Sequence, residues 1–233
     1  MNRRTFVQTL PAVTVLAGAT SGFAQEAPSS TQDLQPITLP KPEKDGGKSV
    51  LAALWERRTI RSIGTEKLPP QVLSNLLWAA FGVNREKASF GKGGRTAASA
   101  SNSQEMDLYV ALPEGVYLYE AGPHRLTPVV AGDFRARSGR RGGAAAPVHI
   151  FYVVDLTRYV REGNPDRSIG DPEVQKSYYY CAVGLIAQNV YLFAASQGLA
   201  AHFHNCDKVN TAKEFKLRPE QRVLFAQTVG YPA

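Results

Sequence analysis

Three guanidiniums and a hydroxyl fall within five residues at Arg57-Arg58-Thr59-Ile60-Arg61. Arginine grips a phosphate through two parallel N–H bonds and a threonine hydroxyl adds a short third, so the cluster has the chemistry of an anion clamp. The same residues also suit an ordinary solvated helix end, where cations complement the helix dipole. A second stretch, RTAASASNSQ at 95–104, combines small residues with the amides of Asn102 and Gln104. Small side chains let a backbone approach a planar ligand and paired amides can read the edge of a heterocycle; a plain polar loop has the same composition. A third, His202-Phe203-His204-Asn205-Cys206, places two imidazoles and a thiol on alternate residues. Such residues share one face of a strand and offer a metal three common ligands, or line a pocket as donors. His124 and His149 read as structural.

Elements must hold these groups in place. Val50, Leu51, Leu54 and Trp55 fall at helical spacing, giving a first helix that ends at Arg57 and Arg58. Pro69-Pro70 opens a second, with Val72, Leu73, Leu76, Leu77 and Ala80 on one face and Gly82 as its stop. Residues 86–98 are polar and glycine-bearing, hence loop. Strands are expected at 106–112, 116–119 and 126–130, and VHIFYVVDL at 148–156 has the continuous apolar character of a strand buried on both faces. A long helix is expected from about Ser177 to Gln197, stopped by Gly198. Being apolar nearly all round, it must be central or covered by another subunit, with Gln188 and Asn189 as satisfied amides. A strand at 200–205, a short helix capped by Asn210 or Thr211 and a last strand at 223–229 complete an α+β domain.

The ends and the bulk set the limits. Arg3 and Arg4 precede a short apolar run that closes in the small residues Gly22-Phe23-Ala24, the pattern of a twin-arginine export signal over residues 1–24. Residues 25–48, with four prolines and Gly46-Gly47, read as an extended arm, and 49–233 as one domain. The net charge is +7, but outside the loop at 132–147 the cations are scattered and no nucleic-acid motif accompanies them, which excludes nucleic acid as the expected partner. That loop reads equally as a cover attracting anionic substrates or as a solvated surface. The apolar run Tyr178 to Ala195 is interrupted by Gly184, Gln188 and Asn189, too polar for a bilayer span. Cys181 and Cys206 can pair in an oxidising compartment or stay free.

Taken with LSNLLWAAFGVNR at 73–85, GLIAQNVYLFAASQGLAA at 184–201 and the closing AQTVGYP at 226–232, these stretches resemble the nitroreductase family of FMN-dependent oxidoreductases, in particular its short branch related to azoline-oxidising dehydrogenases. The resemblance implies an obligate homodimer with a mostly antiparallel sheet and two FMN sites built by both chains. It implies that Arg57, Arg58, Thr59 and Arg61 hold the phosphate, ribityl chain and ring edge, with Arg58 or Arg61 near N1 and O2. It further implies that Ser99, Ala100, Asn102 and Gln104 lie against the flavin, partly across the subunit boundary, and that backbone beyond Gly198-Leu199 passes its N5 side. No side chain is a nucleophile in such a site; the flavin carries the hydride. The substrate is expected to be a small organic molecule such as a nitroaromatic or quinone, and the donor NAD(P)H or a quinol. Because nicotinamides are scarce outside the cytoplasm, a periplasmic enzyme favours a non-nicotinamide electron partner, as reductase or as dehydrogenase or oxidase. Ala98 in place of the usual proline, Ala182 in place of a common aspartate and no basic tail beyond Ala233 depart from the family and admit a flavin carrier without turnover. A periplasmic metal-binding module at His202, His204 and Cys206 is the other alternative.

Overall fold

The computed structural model of the chain describes residues 34–139, 145–159 and 167–233. The signal at 1–24, the first part of the arm and the middle of the 132–147 loop lie outside them. Helix α1, Val50–Glu56, starts where Ser49 Oγ accepts the Ala52 N–H at 3.2 Å. Helix α2, Pro70–Phe81, has its proline in the first turn and stops at Gly82. There the Trp78 ring packs so closely on the backbone that a Cβ would stand 2.3 Å from Trp78 Cδ1, so only glycine fits. Helix α3 runs from Pro172 to Ser196 and ends with Gly198 at φ +70°, where Leu199 N–H donates back to Ala194 O at 2.8 Å. It begins ahead of the expected Ser177 because Asp171 caps it, accepting from Glu173 N at 2.8 Å, with Pro172 preset for the first turn.

The sheet has seven strands: β1 (Ile37–Thr38), β4 (Met106–Leu112), β5 (Gly115–Glu120), β6 (Arg125–Ala131), β7 (Val148–Asp155), β8 (Ala200–His204) and β9 (Gln221–Gly230). Their order is β1-β6-β5-β4-β7-β9-β8, antiparallel throughout. Two short strands pair separately, β2 (Val83–Arg85) just before the stretch read as loop and β3 (Gly94–Arg95) within it. Strand β7 is buried along its whole length, as its sequence demands. Ile150, Tyr152 and Val154 face the larger core with α2 and α3, while Phe151 and Val153 face a smaller cluster around Phe215. Phe215 follows α4, Lys208–Glu214, whose cap is Asp207 rather than Asn210 or Thr211: its carboxylate accepts the Asn210 N–H at 3.2 Å.

Residues 34–48 lie along this unit. Ile37 and Thr38 pair with Leu126 and Arg125, Leu39 is buried, and Glu43 N donates to Asn75 Oδ1 at 2.9 Å. His124 ties the region together. Its Nε2 donates to Ser74 Oγ at 2.7 Å, its Nδ1 accepts from Tyr119 Oη at 2.9 Å, and Ser74 Oγ donates onward to Pro40 O at 2.5 Å.

Candidate functional site

Arg57 ends α1 with φ −55° and ψ 117°, turning the chain from helix into an extended run. That run follows the outer edge of the sheet: Ile60 N donates to Ala201 O at 3.1 Å, Gly64 N to Tyr231 O at 2.8 Å, and Ile63 bridges Pro232. The cluster therefore occupies a sheet edge, held on one side by β8 and on the other by Tyr191 of α3. Tyr191 Oη lies 3.0 Å from Thr59 Oγ1 and accepts the Phe203 N–H at 2.8 Å, and its ring stands 5.4 Å from the Arg57 guanidinium.

Arg57, Arg58, Gly198 and Leu199 line one cavity of about 470 Å³ with Tyr191 and Trp55. Arg61 opens on a second, of about 680 Å³, with Ser138, Gly139 and residues 202–205. Among the described residues none of the three arginines makes an ion pair. By contrast, two arginines of the 132–147 loop are spent internally. Arg135 binds Asp133 at 2.6 Å and Arg137 grips Glu214 through two bonds of 2.6 and 2.5 Å.

Ser99, Asn102 and Gln104 sit apart from the arginines within one chain. Ser99 lines a separate apolar cavity of about 310 Å³ beside Cys181 and Leu185 of α3. Asn102 donates to Ser89 O at 2.9 Å. Gln104 is engaged at both amide atoms: Nε2 donates to Gly93 O at 2.7 Å and Asn102 Oδ1 at 2.9 Å, and Oε1 accepts from Arg95 Nε at 2.8 Å. Ser101, Asn102 and Gln104 all have positive φ, 48°, 48° and 54°, so the loop stores backbone strain of the kind that clusters at binding sites.

Among the described residues the histidine stretch does not gather a metal's set of ligands. The rings of His202 and His204 lie 4.7 Å apart, but His204 has both nitrogens occupied, Nδ1 donating to Asn205 O and Nε2 accepting from Thr228 Oγ1, each at 2.9 Å. Burial holds its pKa below the ordinary value, so the imidazole is neutral. Burial also pushes the Cys206 thiol up to about 11, so it stands protonated. Among the described residues no three His, Cys, Asp or Glu side chains converge on a common point. Cys181 and Cys206 are both free thiols. His149 is buried, with Nδ1 2.7 Å from Ser138 Oγ, and burial followed by the nearby Arg135 charge drives its pKa down to about 3. Of the long helix's two amides, Asn189 is satisfied by Ala80 O and Thr96 O, while Gln188 is exposed rather than buried.

Two contributors were not singled out from sequence. Tyr191 positions Thr59, yet its only signal was a tyrosine in an apolar helix. Trp55 is 91% exposed at the cavity rim, a position that helical periodicity alone assigned to an apolar face. No described helix is long and apolar enough to cross a membrane.

The model of the nitroreductase family matches residues 54–231. A protein of Methanocaldococcus jannaschii bearing the name nitroreductase is 30% identical over 176 residues, 72% of this chain and 82% of that protein. A crystal structure from Ralstonia eutropha JMP134, again under the name nitroreductase, is 32% identical, with a TM-score of 0.76 over 88% of this chain and 93% of that one. More distant likenesses are of fold alone. The Escherichia coli microcin synthetase McbBCD complex reaches a TM-score of 0.59 at 15% identity, covering 99% of this chain and 85% of that one. A Desulfovibrio desulfuricans structure bearing the nitroreductase name, in complex with FMN, reaches 0.51 at 21% identity over 80% and 87%.

Proposed function

The chain belongs to the nitroreductase family of oxidoreductases, and from that premise we propose that its arginine edge holds FMN and that two copies of the chain complete each site. The observation that carries this reading is the row Arg57, Arg58 and Arg61, three guanidiniums without carboxylate partners among the described residues, beside cavities of about 470 and 680 Å³. Unpaired arginines of this kind seek a phosphate, and arginine near a ring oxygen holds negative charge without losing its proton. We assign the phosphate and ribityl chain to Arg57, Arg58 and Thr59, and the edge of the ring at N1 and O2 to Arg58 or Arg61. FMN, when bound, supplies the two-electron chemistry by taking or giving a hydride at N5. The protein's part is to orient, to neutralise developing charge and to exclude water.

The separation of Ser99, Asn102 and Gln104 from the arginines within one chain supports the homodimer. Leu185 and Tyr180 of α3 are 44% and 40% exposed, and Val50, Leu51, Leu54 and Trp55 of α1 are exposed as well. A second chain covering these faces brings its own 99–104 loop to the arginine edge. We further propose a small organic substrate, a nitroaromatic or a quinone, with export by the twin-arginine route after the cofactor is loaded. Export favours a quinol or other non-nicotinamide electron partner, whether the enzyme reduces or oxidises its substrate. The test is the visible spectrum of protein purified with its native leader, followed by release and identification of the chromophore. A flavin spectrum and FMN are expected; protein that stays colourless after soaking in FMN overturns the reading. Anaerobic mixing with NADH, NADPH and a quinol analogue then identifies the donor, and rapid reduction by NAD(P)H alone refutes the non-nicotinamide partner.

A further inference from the structure

Strands β4 and β5 are neighbours only as far as the pair Tyr109–Leu118. Beyond it Met106, Asp107 and Leu108 pair with β7 alone, and Tyr119 and Glu120 pair with β6 alone. The sheet is thus parted between its third and fourth strands, and the gap is a cavity of about 390 Å³. Its floor is apolar, built by Met106, Leu108 and Tyr119 of the larger core together with Phe81. Three cations stand round it: Lys92, Arg95 and Arg158.

The charges do not cancel in the same way at each. Arg158 is neutralised by Asp107 at 2.5 Å, with Asp155 at 3.6 Å, and the Glu120 of the rim by Arg125 at 2.6 Å. Lys92 donates to Ser103 O at 3.2 Å. Arg95 lies over the Phe81 ring at 5.0 Å and, among the described residues, donates to the neutral acceptors Gln104 Oε1 at 2.8 Å and Phe81 O at 3.1 Å. No described carboxylate lies within ion-pair distance of it. A partly desolvated guanidinium above an apolar slot calls for an anion carried on an apolar body.

We propose that the slot between β4 and β5 is a second binding site, for a small organic carboxylate with an aromatic or aliphatic body, its carboxylate on Arg95 and its body between the parted strands. The volume lies within the range of small-molecule pockets, about 300–1,000 Å³. The site shares no residue with the arginine edge at 57–61 and shares only Gln104 with the residues assigned to FMN, so benzoate binding is read separately from the flavin. Gln104 joins the slot to the strained 99–104 loop, so an occupant bears on the position of Asn102 through two consecutive hydrogen bonds.

The test is calorimetric titration of the full chain with benzoate, and with benzyl alcohol as its uncharged counterpart. One benzoate per chain is expected, with no measurable heat from benzyl alcohol. Arg95→Met keeps an apolar stem over Phe81 and removes the charge; it is expected to weaken benzoate about ten- to a hundredfold, as loss of a charged hydrogen-bond partner does. Lys92→Glu offers Arg95 an internal carboxylate and is expected to weaken benzoate as well, which keeps the test open if Arg95→Met fails to fold. The doubly substituted Arg57→Gln, Arg58→Gln protein should bind benzoate unchanged. No benzoate binding, binding that survives both slot substitutions, equal binding of benzyl alcohol, or loss on changing Arg57 and Arg58 would each overturn the proposal.

Discussion

Tyr191 Oη, on α3, lies 3.0 Å from Thr59 Oγ1 and accepts the Phe203 N–H at 2.8 Å, so one phenol holds both the arginine segment and the edge strand. Replacing Tyr191 by Phe removes the hydroxyl and leaves a half-buried amide without its acceptor. The expected cost is about 1–2 kcal/mol, a fall of roughly 2–8 °C in Tm for a chain of this size. FMN should bind several-fold more weakly through loss of position alone, which a fluorescence titration against the unchanged protein measures.

The arginine edge predicts a graded loss. Arg57→Gln, Arg58→Gln and Arg61→Gln each delete a charged donor while keeping the length of the side chain. Each should weaken FMN about ten- to a hundredfold, and the affinity of the unchanged protein should fall with added salt more steeply than that of the variants. Affinity in all three variants equal to that of the unchanged protein would show that the cluster is a solvated helix end.

Leu185→Glu sets a charge on the exposed face of α3. If a second chain covers that face, sedimentation should show a monomer, and FMN should be released along with it. A variant that stays dimeric and yellow would place the contact elsewhere.

Stability should respond to acid through buried imidazoles. His149 is held at about 3 against an ordinary 6.5, and burial lowers His204 and His124 in the same direction. Between those values the unfolded chain binds more protons than the folded one. The contribution is therefore complete above about pH 6.5 and is lost as pH falls toward 3, at about 1.4 kcal/mol per pH unit for a fully buried histidine. Urea midpoints at pH 7.5, 6 and 5 should decline for the natural chain and decline less for His149→Gln. Asp107, raised by burial, works in the opposite sense just above its ordinary 3.8, so the comparison of the two proteins isolates the histidine.

Phe215 anchors the smaller core, with ring centroids 5.2 Å from Phe151, 5.8 Å from Tyr109 and 6.2 Å from Phe134. Phe215→Ala should cost about 3–5 kcal/mol by denaturant unfolding. FMN affinity of the folded fraction should be little changed, because α4 lies on the sheet face away from α3.

Where a signal is local, the sequence shows it. The continuous apolar run of β7, the Pro69-Pro70 start and Gly82 stop of α2, and the spacing of Arg57, Arg58 and Arg61 are all visible in a few consecutive residues. Strand β1 is not, because two residues in a proline-rich stretch acquire a strand only by lying beside β6. Asp171 and Asp207 cap their helices from just outside the apolar pattern, so reading periodicity starts α3 late and places the cap of α4 too far along the chain. The residues around Asn102 resemble part of one site, yet spacing says nothing of which chain they serve. The parting of β4 from β5 is likewise invisible in sequence, since pairing is decided between residues distant along the chain.

Strand β9 is made after every other strand of the sheet, yet it stands between β7 and β8, and β8 has no other neighbour there. Until it is synthesised, the outermost strand has no partner in the sheet, and the arginine run, tied to α3 through Tyr191, lacks the finished edge that it follows. A polypeptide still growing cannot form the pocket by degrees; it closes in one late event, so the ligand it keeps must be taken up from whichever compartment surrounds the finished chain.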